Sequence, residues 1–183
     1  MKPTTRIDGF RGEFLWELEI AERQLIRMAD AVPAAKYDWR PDEKTRSVSE
    51  ILVHVAAGNF MLLNVVGIPV PSDLYIDLPA SGLDRFLAII RVNDALEKSV
   101  HDKDAVLALL KRSLLAVAES VSQPGCEAEL DRRVRFFGEL STVRRVYLRL
   151  LVHLHEHMGQ MIAYLRVNGI APPWPDWRPD RRA

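Results

Sequence analysis

The chain holds a single cysteine, Cys126, among its 183 residues. One thiol closes no intrachain disulfide and builds no Cys-rich zinc ribbon, so any core must rest on packing and any metal on other ligands. Charge imbalance is missing as well. Lys+Arg and Asp+Glu both number 25. A dedicated nucleic-acid binder normally carries an excess of basic residues, so no nucleic acid is expected as partner. The densest basic run (Arg132, Arg133, Arg135, then Arg144, Arg145, Arg149) reads as a solvated face with acids nearby. The N-terminal MKPTTRIDGFRGEFLWELE lacks the apolar stretch of a signal peptide. From Ile51 to Ser72 there is no Lys, Arg, Asp or Glu, but His54, two asparagines, two glycines and two prolines interrupt the run. A helix buried inside a bundle accounts for it better than a bilayer span. The expectation is one cytoplasmic domain over residues 1–183, with no membrane segment and a Pro-rich C-terminal tail from about 170.

Strand signals are weak, and helical periodicity dominates. Residues Asp8 to Ala31 carry Phe14, Leu18, Ala21, Leu25 and Met28 at helical spacing. A loop with Pro33 and Pro41 follows. Ser47 with Glu50 is a capping-box pattern that opens a second helix, which stops at Gly67 and Pro69. After a proline-rich loop, residues 82–100 read as a short helix broken near Asn93. Asp102 opens a stronger helix that ends at Pro124-Gly125, and residues 126–140 read as an irregular crossover. Ser141 or Thr142 caps the last long helix, which Asn168-Gly169 terminates. Four long amphipathic helices joined by long connections imply an all-α four-helix bundle.

The chemistry concentrates in the run LLVHLHEHMGQMIAYLR (150–166). His153 and His157 stand four residues apart, one turn along the same helix face. At about 100° per residue, Gln160 and Tyr164 fall on that stripe, and His155 lies about 200° away. His54, in the apolar run ILVHVAAGNFMLL (51–63), is a third candidate. Bundles build metal sites from facing helices. Three imidazoles with an open fourth position suit a catalytic zinc-type centre, and imidazole also suits nickel or iron. The alternative reading of each histidine is a hydrogen-bonded core or surface residue. Glu50 reads as the capping residue or as a carboxylate that orients an imidazole N–H. His101, just before the Asp102 cap, reads as a surface residue. Ala57, Gly58 and Gly159 leave space beside the histidines.

The segment HLHEHMGQMIAYLRVNGIAPPWP (153–175) resembles the C-terminal signature of the DinB/YfiT-like superfamily: two histidines four residues apart, Gly-Gln, Tyr-Leu-Arg, then Gly before a double proline. WRPDEKTRSVSEILVHVA (39–56), DKDAVLALLKRSL (102–114) and VRFFGELSTVRRV (134–146) resemble further parts of that family, in its order. The resemblance implies a DinB-like four-helix bundle with long crossover connections and a divalent metal ion, zinc or nickel, held by His54, His153 and His157. It also implies a homodimer. Some relatives are thiol-dependent S-transferases that use bacillithiol, mycothiol or glutathione. The expected function is therefore metal-dependent transfer of a low-molecular-weight thiol to a small electrophile, with Gln160 or Tyr164 orienting the substrate. The alternatives are a metal-dependent hydrolase and a non-catalytic metal- or ligand-binding stress protein.

Overall fold

The structure, a computed structural model, describes residues 9–173. Most of the Pro-rich tail expected from about 170 lies outside the described residues. Helix α1 spans Gly9–Ala31, α2 Val48–Val65, α3 Gly82–Ser99, α4 Lys103–Ser122, the short α5 Cys126–Glu129, and α6 Val143–Val167. Strands β1 (Arg133–Phe136) and β2 (Glu139–Thr142) pair antiparallel between α5 and α6, with Phe136 opposite Glu139.

Capping chemistry sets the helix starts. Ser47 Oγ accepts from Glu50 N–H while the Glu50 carboxylate accepts from Ser47 N–H, a complete capping box. Asp102 accepts from Ala105 N–H and Thr142 from Arg145 N–H. Thr142, rather than Ser141, therefore caps α6. At its other end Gly169 takes φ +72°, and Ile170 N–H reaches back to Leu165 C=O, closing the helix as a left-handed cap does.

The four long helices pack in a ring. α1 touches α4 and α6, and α2 also touches α4 and α6. Sequence neighbours α1 and α2 therefore sit across a diagonal, as do α4 and α6, which is why their connections are long. The stripe read in α1 (Phe14, Leu18, Ala21, Leu25, Met28) is wholly buried. α2 is the described helix long and apolar enough to cross a membrane, yet 72% of it lies buried inside the bundle. α3 lies outside the ring against α2, burying Ile89, Asn93 and Glu97.

Two expectations need correction. α3 runs unbroken through Asn93, because the side chain is buried and satisfied: it donates to Ala57 C=O and accepts from Tyr75 O–H. The expected irregular crossover at 126–140 is a short helix followed by a hairpin. The alternation in Arg-Val-Arg-Phe, exposed–buried–exposed–buried, is the two-residue period of a strand. The basic run is partly neutralised, with Arg132 on Glu129, Arg144 on Asp131 and Arg149 on Glu156.

Because Ser47 is fully buried and its hydroxyl also meets Ser49 Oγ at 3.0 Å, its loss removes more than a solvent-exposed cap. We predict that Ser47→Ala lowers the unfolding free energy by about 1–2 kcal/mol, measured by urea denaturation. A change below about 0.3 kcal/mol would mean that the box does not hold the start of α2.

Candidate metal centre

α2 and α6 run antiparallel: Tyr164 reaches Arg46, His157 faces His54, and His153 faces Gly58. Their contact brings together three imidazoles, of which His54 and His153 lie 99 residues apart in the sequence and His157 lies further still. Ring centroids stand 5.0 Å apart for His54–His153, 4.8 Å for His54–His157 and 4.6 Å for His153–His157. One ring nitrogen of each lies within 4.8 Å of the others, so the triad could hold a metal ion. Gly58 makes this approach achievable: a Cβ there would meet His153 Cε1 at 2.7 Å.

The orientation of each ring follows from its other nitrogen. His54 Nδ1 lies 2.6 Å from Glu97 Oε1, a short charge-assisted contact in which the ring N–H donates to a carboxylate. His157 Nδ1 lies 3.1 Å from Gln160 Oε1, an acceptor only. Both rings therefore carry the proton on Nδ1 and present a bare Nε2, the arrangement that fixes metal-ligating histidines. Gln160 Nε2 then donates to Tyr164 Oη at 3.2 Å, and Tyr164 O–H donates to Arg46 C=O at 2.9 Å. Arg46 Nε returns to Glu97 Oε2 at 2.7 Å. The outer chain runs from His157 through Gln160, Tyr164, Arg46 and Glu97 back to His54.

The donor set fits a small cation. His153 Nε2 lies 3.1 Å from His54 Nε2. Two bare nitrogens at that distance repel unless a proton or a cation lies between them. A tetrahedral site with Zn–N bonds near 2.0–2.1 Å separates its ligand nitrogens by about 3.3 Å, close to that spacing. His153 Nδ1 is buried without a hydrogen-bond partner, so the polar contact of this ring is the one its Nε2 makes with His54. Electrostatics also favour the neutral form, the one that binds metal, at His153 and His157. Burial, followed by the nearby His157, His54, Arg149 and Arg46, lowers His153 to about 3. Burial lowers His157 too, against its bond to Gln160. For Glu97, burial alone would raise the carboxyl, but the bonds from His54 and Arg46 outweigh it and hold it below its ordinary value.

The remaining candidates fall elsewhere. His155 is exposed, with Nδ1 2.8 Å from Leu151 C=O. Glu50 pairs with Arg40 at 2.9 Å while closing the α2 cap, and does not reach an imidazole. The carboxylate that orients His54 is Glu97, on α3. His101 bonds Ser49 Oγ and Lys98 C=O, which pins the α3–α4 junction rather than leaving it free at the surface.

A cavity of about 250 Å³ opens on His54 and His153, walled by Gly58, Met61, Leu62, Ile90 and the pair Phe136–Phe137. A polar cleft of about 620 Å³ lies on the other side of the Arg46–Glu97 pair and reaches Gln160.

A depressed histidine pKa favours the protonated unfolded chain on acidification. Between about pH 6.5 and 3 the unfolded chain holds a proton on residue 153 that the folded chain lacks, so stability rises with pH across that window and is lost as pH falls. Each pH unit there is worth up to about 1.4 kcal/mol for that proton. Chelator-treated wild type should therefore lose more stability between pH 7 and 5 than His153→Leu, read as urea midpoints. Equal losses would remove His153 as the group responsible.

The comparisons agree with this architecture. A DinB-like protein from Bacillus cereus superposes with TM-score 0.68 at 15% identity, over 91% of this chain and 97% of that one. A DinB-like protein from Bacillus subtilis superposes with TM-score 0.55 at 18% identity, over 90% and 96%. No curated protein matches at a significant level. The sequence profile of the DinB superfamily matches residues 17–161, from the first helix to past His153 and His157, and the chain belongs to that superfamily.

Proposed function

We propose that the protein is a metal-dependent S-transferase that joins a low-molecular-weight thiol to a small electrophile. The observation that carries the reading is the triad of His54, His153 and His157. Two of its rings are locked with Nε2 inward by Glu97 and Gln160, and its third borders an apolar cavity. A divalent ion such as zinc or nickel, when bound there, would supply the field that lowers a thiol pKa towards neutrality.

The chain's own residues do the rest. His54, His153 and His157 hold the ion as neutral ligands. Glu97 and Arg46 fix His54, and Gln160 and Tyr164 fix His157. Gln160 and Tyr164, first considered as substrate-orienting residues, have their polar atoms engaged in that chain, so in this reading they position a ligand. Met61, Leu62 and Ile90 keep water from the electrophile, which suppresses hydrolysis in favour of transfer. The polar cleft beside Gln160 offers space for the hydrophilic body of the thiol. The reading places the enzyme in the cytoplasm, acting on small molecules.

We predict about one divalent metal per chain by elemental analysis. His54→Ala, His153→Ala or His157→Ala should each lose most of it, and His155→Ala should keep it. Glu97→Gln should weaken affinity by about 10–100-fold. Loaded wild type should form conjugates with bacillithiol, mycothiol or glutathione and a halo-aromatic or epoxide, whereas His157→Ala should not. Equal rates in both would separate the metal from the reaction. No turnover from a fully loaded site would move the reading to metal-assisted hydrolysis or to a binding protein.

The same reading includes a homodimer. α6 carries the exposed pair Leu148 and Val152, each 48% accessible and one turn apart. Light scattering should show a dimer at tens of micromolar, a concentration at which a micromolar-affinity dimer is mostly formed. A monomer there would reject the dimer.

A further inference from the structure

The hairpin turn carries a residue that its backbone disfavours. Phe136 pairs with Glu139, so Phe137 and Gly138 form a two-residue connection, with φ +48° and +83°. Such a turn needs left-handed backbone at both positions and normally takes Asn, Asp or Gly first. A bulky aromatic residue in that region is a steric outlier. Burial does not compensate, since Phe137 remains 63% exposed. What the ring does touch is informative. It meets Phe86 of α3 edge-on at 5.4 Å and Phe136 at 4.6 Å. It also lines two spaces at once: the 250 Å³ cavity that opens on His54 and His153, and an apolar groove of about 770 Å³ bounded by Asn64, Leu83 and Phe86. The Phe137 side chain is thus part of the partition between them. Local strain kept at the mouth of a site is a common mark of a functional constraint.

We propose that Phe137 is a specificity-determining residue. It limits the group admitted beside the histidines to a single uncharged aromatic ring, which it stacks against, and it shuts larger ring systems out of the outer groove. The assignment of that ring to the electrophile rests on the transferase reading. The partition itself does not. The inner cavity suits an uncharged ring: Met61, Leu62, Ile90 and Phe136 give it apolar walls, its two arginines are already paired, Arg46 with Glu97 and Arg149 with Glu156, and beside the histidines its remaining polar lining is Asn93 and the exposed Asp94. An uncharged ring therefore leaves both ion pairs intact, whereas an anionic one would compete with Glu97 and Glu156 for the arginines and face Asp94 as well.

The test uses chlorobenzene and 1-chloronaphthalene as probes, titrated into zinc-loaded protein, or into protein as isolated if it takes up no zinc. Carbon–proton spectra of the histidine rings report where the probes bind. Chlorobenzene should shift His54 and His153 and leave His155 and His101 unmoved, and 1-chloronaphthalene should bind at least tenfold more weakly. Phe137→Asn supplies the residue that the turn prefers, so the variant should melt no lower than wild type while the tenfold discrimination is lost. Phe137→Gly should behave likewise if the Asn variant folds poorly, and Phe137→Tyr should retain the discrimination. Equal binding of both probes to wild type, unchanged discrimination in the Asn and Gly variants, or probe shifts that miss His54 and His153 would each overturn the proposal. Metal content, measured separately on the same samples, reports on the transferase reading whichever way the probes behave.

Discussion

At Gly58 the backbone of α2 comes so near α6 that an added Cβ would lie 2.7 Å from His153 Cε1. The seat of the His153 ring depends on that approach. It sets the two helices close enough for His54 and His153 to meet nitrogen to nitrogen at 3.1 Å. The same antiparallel pairing carries Tyr164 to the Arg46 carbonyl. A larger residue would force either a rotated imidazole or parted helices, and interiors this tightly packed transmit such a shift rather than absorb it. The long connections follow from the same geometry: to place α2 beside α6, the chain must cross a diagonal of the ring twice, once between α1 and α2 and once between α4 and α6.

Around that contact, polar groups are arranged so that none of the buried charges stands alone. Glu97 is 8% exposed, and an unpaired carboxylate there would be costly. Arg46 and His54 occupy its two oxygens separately. The Arg46 side chain secures Glu97 while its backbone carbonyl secures Tyr164, so one residue just before α2 joins the supports of His54 and His157. The supports are unequal, however. His54 rests on a charged acceptor and His157 on a neutral amide, while the Nδ1 of His153 has no protein partner. A charged acceptor holds a ring N–H more firmly than a neutral amide does, which makes His54 the most firmly oriented member of the triad and His153 the least.

Much of this was legible in the residues. The two-His spacing on α6 needed only the helical repeat. The Ser47–Glu50 box, the Asp102 cap and the Asn168-Gly169 stop are local chemistry and stand where the sequence puts them. The bundle followed from periodicity and loop length, and the family resemblance matched His54 to the pair. Glu97 was not legible. A glutamate on an amphipathic helix looks alike whether it faces water or a neighbouring helix, and only the docking of α3 on α2 decides it. Asn93 misled for the same reason: its helix-breaking tendency arises from competition with the backbone, and the bonds to Tyr75 and Ala57 remove that competition. The hairpin was missed although Arg-Val-Arg-Phe alternates, since four residues are too few for the pattern to stand out and the Phe-Gly turn is not one that strands prefer.

The charge inventory of the site bears on which partner it suits. Three imidazoles contribute no negative charge, and the carboxylate that touches His54, Glu97, is already matched by Arg46. A divalent cation in this setting would keep its full positive charge in a half-buried environment, unlike one held by Asp or Glu ligands. Attraction in such surroundings is several-fold stronger than in water, so the open position would favour an anionic donor over a neutral one. A thiolate satisfies that preference directly. On the cavity side, a carboxylate-bearing ligand would meet Asp94, two arginines already paired with carboxylates, and the apolar walls of Met61, Leu62 and Ile90. The two spaces therefore meet different parts of the site: the polar cleft reaches Gln160, which supports His157, whereas the cavity that Phe137 lines reaches His54 and His153 themselves, so what enters each is governed by different neighbours.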